Sequence, residues 1–181
     1  GIQDQIECAY GGLNFIEIRR DGSYDVEPVI LGAKRSLELQ AHLMLFFTGL
    51  VRNASEIAQV QMATVHEHTA QMKAVARMAT QGLRILIDGG PIERFGELLH
   101  DAWLLKRGMS PLVSNETVDH AYQAATRAGA LGGKLLGAGG GGFLLIFARP
   151  QERPAVRLAL SGLLEVPVVF EHSGTQIVHS S

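Results

Sequence analysis

Cysteine is all but missing from this chain. Cys8 stands alone among 181 residues, so neither an intrachain disulfide framework nor a multi-cysteine zinc site is available. Cys8 itself reads as a small buried hydrophobe. Long apolar runs are also missing. The longest, Leu43 to Phe47 and Phe143 to Ala148, fall far short of the ~20 residues that cross a bilayer, and no membrane partner is expected. Neither sign of charge dominates. Sixteen basic side chains against eighteen acidic ones leave a net charge of −2, which argues against a nucleic-acid partner, since that needs clustered Lys and Arg. The chain opens Gly1-Ile-Gln-Asp-Gln5, with no initiator Met and nothing like a signal peptide. It is therefore expected to be a piece of something longer, in a cytoplasmic protein.

What the chain does have is 46 % apolar residues and a mean hydropathy of +0.13. At this length a globular chain buries roughly 70 % of its unfolded surface. Leu13 to Ile18 and Tyr24 to Val29 alternate in the strand period, with Asp21-Gly22 between them as a turn signal, and predict a hairpin. A short helix is expected over 34–41 and a buried strand over 42–47. From about Asn53 to Gln81 the period changes to threes and fours, carried by Ala54, Ile57, Ala58, Val65, Met72, Val75, Ala76 and Ala79. That is a helix stripe, with Asn53 and Glu56 as its start and Gly82 as its stop. Further helices are expected from Pro91 to about Arg107, from Ser114 or Asn115 to about Ala128, and near Pro150 to Ser161. Strands are expected at Phe143 to Ala148, Val166 to Glu171 and Thr175 to Val178. Segregated helices with a mainly antiparallel sheet point to α+β rather than to a doubly wound parallel fold.

Eight of the twenty-one glycines fall between Gly129 and Gly142. The run Gly137-Ala138-Gly139-Gly140-Gly141-Gly142 satisfies G-x-G-x-x-G, but a dinucleotide fingerprint needs a strand before it and a helix after it. Here a helix is expected before and a strand after. Gly133-Lys134 is not a Walker A element, because Leu135 stands where Ser or Thr must meet the metal. Two readings remain. Backbone packs on backbone in a tight loop, or side chains are absent so that amides can close on an anion, with Lys134 adding positive charge.

The segment Gly132-Gly-Lys-Leu-Leu-Gly-Ala-Gly-Gly-Gly-Gly-Phe143 resembles the third conserved motif of the GHMP kinases, the galactokinase, homoserine, mevalonate and phosphomevalonate kinase superfamily. Gly1-Ile-Gln-Asp-Gln5 followed by Tyr10-Gly-Gly-Leu-Asn-Phe15 resembles the stretch that carries the catalytic aspartate in its sugar-type members. Within the superfamily the likeness runs to the D-glycero-D-manno-heptose 7-phosphate kinases of bacterial surface-polysaccharide synthesis. It rests on Leu45-Phe-Phe-Thr-Gly-Leu-Val-Arg52, Ala54-Ser-Glu-Ile-Ala58, Ala102-Trp-Leu-Leu-Lys-Arg107, Ser114-Asn115 and Ser173-Gly-Thr-Gln-Ile-Val178. The resemblance implies a ferredoxin-like α+β C-terminal domain over 31–181, its four-stranded sheet carrying helices on one face. Residues 1–30 would be the end of an N-terminal domain. The family's Pro-x-x-x-Gly-Leu-Gly-Ser-Ser phosphate loop does not occur here. Its usual magnesium ligands, a serine in that loop and a glutamate beyond it, are missing too, so no metal ligand is assigned.

By the same resemblance, Asp4 would take or orient the proton of the sugar hydroxyl that attacks ATP; the bland alternative is a solvated or capping Asp. Phosphoryl transfer asks mostly for positioning and charge stabilisation, so an ordinary carboxylate suffices. The loop Gly137 to Gly142 would back the nucleotide phosphates or brace the missing phosphate loop. Gln5, Gly11 and Gly12 would line the sugar, with Thr48 and Arg52 in the same pocket. A substrate phosphate would call for a cation among Arg52, Lys106, Arg107 and Lys134, although a basic pair such as Lys106-Arg107 also suits a helix C-terminus. His66 and His68, two apart on a helix, point about 200° from each other and cannot chelate together; they read as surface histidines, and Trp103 as core. The implied reaction is ATP-dependent, magnesium-assisted phosphorylation of the anomeric hydroxyl of a sugar phosphate. The partners would be the sugar phosphate, ATP and an N-terminal half of the same enzyme, without which this chain would be inactive. The alternatives are a kinase for another sugar, of galactose or fucose type, and a non-catalytic sugar-phosphate-binding module.

Overall fold

The computed structural model describes residues 2–19, 21–49, 68–137 and 139–176. Residues 2–10, for which the sequence pattern predicts no element, form helix α1 (Ile2–Tyr10). The predicted hairpin follows as β1 (Asn14–Ile18) and β2 (Tyr24–Pro28), paired antiparallel from Asn14↔Pro28 to Ile18↔Tyr24. Asp21 organises its turn: Oδ1 accepts from Ser23 N at 2.9 Å and Ser23 Oγ at 2.6 Å, an Asx-turn arrangement. Helix α2 (Ala33–His42) runs straight into strand β3 (Leu43–Phe47).

Helix α3 (Thr69–Ile87) does not stop at Gly82. Gly82 is buried inside it, where a Cβ would come within 3.2 Å of the Phe95 ring, so it is a contact residue for the next helix rather than a terminator. The helix ends at Asp88, and Arg35 of α2 caps it by donating to Leu86 O at 3.2 Å and Ile85 O at 2.6 Å. Those carbonyls have no partner within the helix itself. The predicted start at Asn53 lies outside the described residues. Helices α4 (Glu93–Met109) and α5 (Glu116–Arg127) follow as expected; Asn115 caps α5 by accepting from Val118 N at 3.0 Å.

The largest correction falls in the glycine-rich stretch. Ala130–Leu135 is a strand, β4, followed by β5 (Phe143–Ala148), the shortened helix α6 (Arg153–Ala159) and the three-residue β6 (Leu164–Val166). Two of the expected loop glycines therefore lie in a sheet. A Cβ on Gly132 would stand 2.0 Å from Gly96 O and 2.8 Å from His100 N, so α4 seats its backbone directly on β4. Val166 to Glu171 forms no strand beyond Val166, because its polar groups bond elsewhere: Phe170 N donates to Gln40 Oε1 at 3.1 Å and Gly12 N to Glu171 O at 3.0 Å. Thr175 N likewise donates to Cys8 O at 3.0 Å, so Thr175 and Gln176 are irregular; the rest of that predicted strand lies outside the described residues.

The four-stranded sheet has the order β4-β5-β3-β6, every pair antiparallel. With the helices between β3 and β4 and with α6 between β5 and β6, this is the βαββαβ order of ferredoxin-like folds. Helices are not confined to one face. Met44, Phe46, Leu144 and Ile146 pack with Val118, Tyr122 and Val156 of α5 and α6, while Leu43 and Phe147 pack with Leu39, Leu86 and Ile92 on the α2–α3–α4 side. Alternate strand residues thus enter two cores, which explains why β3 and β5 read as unbroken apolar runs. Among the described residues no helix is long and apolar enough to cross a membrane.

Candidate functional site

Asp4 lies in the first turn of α1, where a carboxylate complements the positive end of the helix dipole. The far end of α1 is tied down. Asn14 Nδ2 donates to Gly11 O at 2.9 Å and to Glu7 Oε2 at 3.0 Å, and Thr175 donates through N and Oγ1 to Cys8 O. Cys8, expected to be buried, is exposed. Ile6 is the buried residue of this helix, and Cys8 two positions on lies off its inner stripe.

On the sheet, Lys134 sits in β4 opposite Leu145, and on α4 the residues Leu99, Ala102, Trp103 and Lys106 form one stripe at helical spacing. These elements meet. Gln3 of α1, Phe15 of β1, Leu83 of α3, Trp103 and Lys106 of α4 and Lys134 of β4 all line one cavity of 530 Å³. Both lysines are partly buried there. Burial pushes the Lys134 ammonium below the usual lysine range, and the carboxylate of Asp4 pulls it partly back. Burial, followed by the neighbouring charge of Lys134, pushes Lys106 down as well. Lys134 and Lys106 thus share one largely apolar cavity, and Asp4, 130 residues before Lys134, acts electrostatically on Lys134 from outside that lining. Arg107, beside Lys106 in sequence, is turned away into an ion pair with Asp119 at 2.8 Å. Trp103 is core as expected, 1 % exposed, but its indole Nε1 has no hydrogen-bond partner.

The glycine loop lies between β4 and β5 and is pinned from both sides. Thr48, at the end of β3, donates through Oγ1 to Gly142 O at 2.9 Å and accepts from Gly142 N at 3.1 Å. Asn115 Nδ2 donates to Gly140 O at 2.8 Å, and Gly140 N donates to Val113 O at 3.2 Å. Gly139, at φ +122°, lies so close to the 112–113 backbone that a Cβ would be 3.0 Å from Val113 Cα. The amides of Gly140 and Gly142 are thus committed within the protein and do not point at an anion. Open space surrounds Gly137, also at positive φ. Gly141 lies between the two pinned residues, and Ala138 lies outside the described residues.

The remaining candidates fall into three groups. Thr48 is a buried loop anchor, not a wall of the lysine-lined cavity. Gly11 and Gly12 line a second cavity of 370 Å³ with His172 and Phe170. Gly11 has no side chain because the Ser173–Gly174 backbone occupies that space, with Gly174 N only 2.3 Å from where its Cβ would stand. Gln5 is exposed on α1. Arg52 and His66 lie outside the described residues. His68, read as a surface residue, is half-buried, and its buried Nδ1 has no partner. Sequence reasoning missed Gln3, the indole of Trp103 and the grip of Asn115 on the loop. The 99, 102, 103, 106 stripe was the available signal for the second. Among the described residues no three His, Cys, Asp or Glu side chains converge to hold a metal ion. Magnesium, implied by the resemblance, finds no such cluster among the described residues.

Comparison with known proteins bears on this arrangement. Residues 72–165 match the family described as GHMP kinases C terminal. Over 157 residues the chain is 30 % identical to a D-glycero-alpha-D-manno-heptose 7-phosphate kinase of Campylobacter jejuni, covering 84 % of this chain and 45 % of that protein. It is also 30 % identical over 163 residues to a bifunctional fucokinase/GDP-fucose pyrophosphorylase of Arabidopsis thaliana, covering 84 % of this chain and 15 % of that one. Among solved structures, a D-glycero-D-manno-heptose 1-phosphate kinase from Bacteroides thetaiotaomicron superposes with a TM-score of 0.68 at 24 % identity, over 99 % of this chain and 50 % of that chain. The last likeness is one of fold. The chain spans less than half the length of either curated relative.

Proposed function

The chain belongs to the GHMP kinase family through that family's C-terminal domain, and from this premise we propose that it forms part of an ATP-dependent sugar kinase acting on the anomeric hydroxyl of a sugar phosphate, D-glycero-D-manno-heptose 7-phosphate being the first candidate. The observation that carries the reading is the electrostatic coupling of Asp4 to Lys134, a lysine that lines the cavity. A carboxylate beside an ammonium, next to a glycine-rich loop, suits a hydroxyl group that must lose a proton while it attacks a phosphate. The 30 % identity to the Campylobacter heptose 7-phosphate kinase supports the choice of sugar.

In the proposed reaction Asp4 hydrogen-bonds the acceptor hydroxyl. The hydroxyl oxygen forms a bond to the γ-phosphorus of ATP, the bond from that phosphorus to the β-phosphate oxygen breaks, and ADP leaves. Asp4 holds the proton lost by the hydroxyl. Lys134 offsets the charge that gathers around the transferring group, an electrostatic role in keeping with a loose transition state. Thr48 and Asn115 hold the Gly137–Gly142 loop against the end of the sheet. On this reading residues 1–30 close an N-terminal domain and residues 31–181 form the C-terminal one. The phosphate loop is contributed by an N-terminal half, because no Pro-x-x-x-Gly-Leu-Gly-Ser-Ser sequence occurs in the 181 residues. The chain alone is accordingly proposed to be inactive, and the reaction is assigned to the cytoplasm, where ATP is plentiful.

The equal identity to the Arabidopsis fucokinase supports a second reading, a kinase for an unphosphorylated sugar such as fucose or galactose. One assay separates the readings. ATP consumption is followed with a panel of sugars and sugar phosphates, using the chain alone and the chain joined to a family N-terminal half. Turnover of a heptose phosphate in the joined protein, lowered 10²- to 10⁴-fold by Asp4→Asn, is the expected outcome. Turnover of fucose or galactose instead selects the second reading. No turnover with any sugar, while a sugar phosphate still raises the melting temperature, would leave a binding module on a kinase scaffold.

A further inference from the structure

The cavity between α3, α4 and the hairpin carries a surplus of donors at one end. Lys106 and Lys134 come from different elements, yet both line it and both are partly buried. Trp103, one helical turn before Lys106, lines the same cavity with its indole N–H unpartnered at 1 % exposure. Buried donors ordinarily find acceptors, and two ammonium groups sharing one wall repel each other unless an anion lies between them. Asp4 supplies negative charge beside Lys134, and among the described residues no carboxylate lines the cavity itself. The rest of the wall is mostly apolar, with Phe15, Leu83 and Leu99, and its other polar residues, Gln3 and Asn14, are uncharged.

We propose that Lys106 and Lys134, with the Trp103 indole beside them, form the subsite that holds the phosphate group already present on the acceptor sugar. This rests on the sugar-kinase reading and deepens it, because it gives a physical reason for a phosphorylated acceptor. A dianionic phosphate carries acceptors for both lysines and offsets their charge. The acceptor is favoured over the nucleotide as its bearer because the acceptor's hydroxyl must reach Asp4. A phosphate on the same small molecule then finds Lys134, the neighbour of Asp4, and Lys106 within reach. Lys106 is thereby the specificity-determining residue, since Asp4 acts on Lys134 and not on Lys106.

Trp103 is the only tryptophan of the chain, so its emission reports on this cavity without any turnover. The 181-residue chain is titrated with mannose 6-phosphate, heptose 7-phosphate, the same sugars without phosphate, inorganic phosphate and ATP. The expected result is a saturable change in Trp103 emission with the sugar phosphates and none with the bare sugars. Lys106→Met should weaken the apparent affinity at least tenfold, and Lys106→Arg should restore most of it. Circular dichroism checks that each variant is folded. Equal responses to phosphorylated and bare sugars, or no loss in Lys106→Met, would overturn the subsite. A response to ATP alone would overturn the acceptor assignment and give the cations to the nucleotide. Phosphate-dependent binding without turnover of any sugar in the ATP assay would remove the kinase reading and leave the subsite standing. Turnover that is indifferent to Lys106→Met would do the reverse.

Discussion

Replacing Gly132 with alanine tests how α4 sits on the sheet. The new Cβ would lie 2.0 Å from Gly96 O and 2.8 Å from His100 N, whereas real Cβ contacts stay at 3.0 Å or more. Both obstructing atoms belong to the backbone of α4, so no side-chain rotation relieves the clash, and the helix must lift by about 1 Å. Overpacking of this kind costs typically 1–3 kcal/mol, and a backbone-on-backbone clash belongs at the upper end, about 3 kcal/mol. Alanine recovers roughly 0.5–1 kcal/mol over glycine within a strand. The net loss is about 2 kcal/mol, or about 4–8 °C in Tm at this chain length. Gly108→Ala is the matched control. It lies in the last turns of the same helix with nothing within 4 Å of its Cβ position, so it should raise Tm by up to about 4 °C. Thermal unfolding followed by circular dichroism reads both. A Gly132→Ala protein that melts within 2 °C of the parent, or a Gly108→Ala protein that loses as much as Gly132→Ala, would refute the direct seating of helix on strand.

Thr48→Val removes both hydrogen bonds between Oγ1 and Gly142 and should cost about 1–3 kcal/mol, with Thr48→Ser close to the parent; urea unfolding and exchange of the Gly142 amide measure it. Asn115→Ala loses the α5 cap and the bond to Gly140 O together, a loss of about 0.5–2 kcal/mol for the cap alone. Asn115→Asp keeps the cap acceptor and drops only the loop bond, so it should fall between Ala and the parent in the same unfolding assay. The two lysines give a pH dependence. Their folded values lie below the ordinary 10.5, so the unfolded chain holds more protons as that range is approached and their contribution to stability rises with pH. Phosphate binding runs the other way, weakening as the ammonium groups lose their charge. A Lys106→Met, Lys134→Met double variant should flatten the alkaline rise in urea-unfolding stability, and an unchanged rise would assign it to other groups.

Most of the secondary structure was legible because its signals are local. The Asp21-Gly22 turn, the Asn115 cap and the unbroken apolar runs of β3 and β5 each act within a few residues. The misreadings have a common physical origin. Gly82 reads as a terminator, and Gly132 and Gly133 as loop, because glycine disfavours regular structure when it is considered alone. In the fold each is regular, and its missing side chain is required by a partner far along the chain: Phe95 for Gly82, Gly96 for Gly132 and Leu145 O for Gly133. Single-sequence periodicity carries no information about such partners. α1 was missed for the same reason, since Ile6 is its buried residue and its end is fixed by Thr175 and Asn14. At the site, the resemblance pointed to Asp4 and the glycine loop. Which member of the Lys106-Arg107 pair faces the cavity depended on where Asp119 lies.

The glycines and the charges are linked by one piece of geometry. A helix normally rides on a sheet at side-chain distance, which would hold Lys106 and Trp103 of α4 away from a lysine on β4. Gly96 on the helix and Gly132 on the strand remove the side chains that set this distance, and their backbones meet. Two residues beyond Gly132 stands Lys134, on the sheet face that carries Leu145, and ten residues beyond Gly96 stands Lys106. The close approach at the glycine pair therefore brings two like charges to one cavity, an arrangement that opposes folding unless an anion is bound. Lifting the helix with Gly132→Ala should in consequence weaken phosphate binding as well as stability. Replacing Lys106 with Met should do the first and, by removing a partly buried charge, relieve the second. Opposite signs on stability with the same sign on binding would mark the strain as electrostatic and functional; a parallel loss in both variants would make Lys106 a structural residue of the helix.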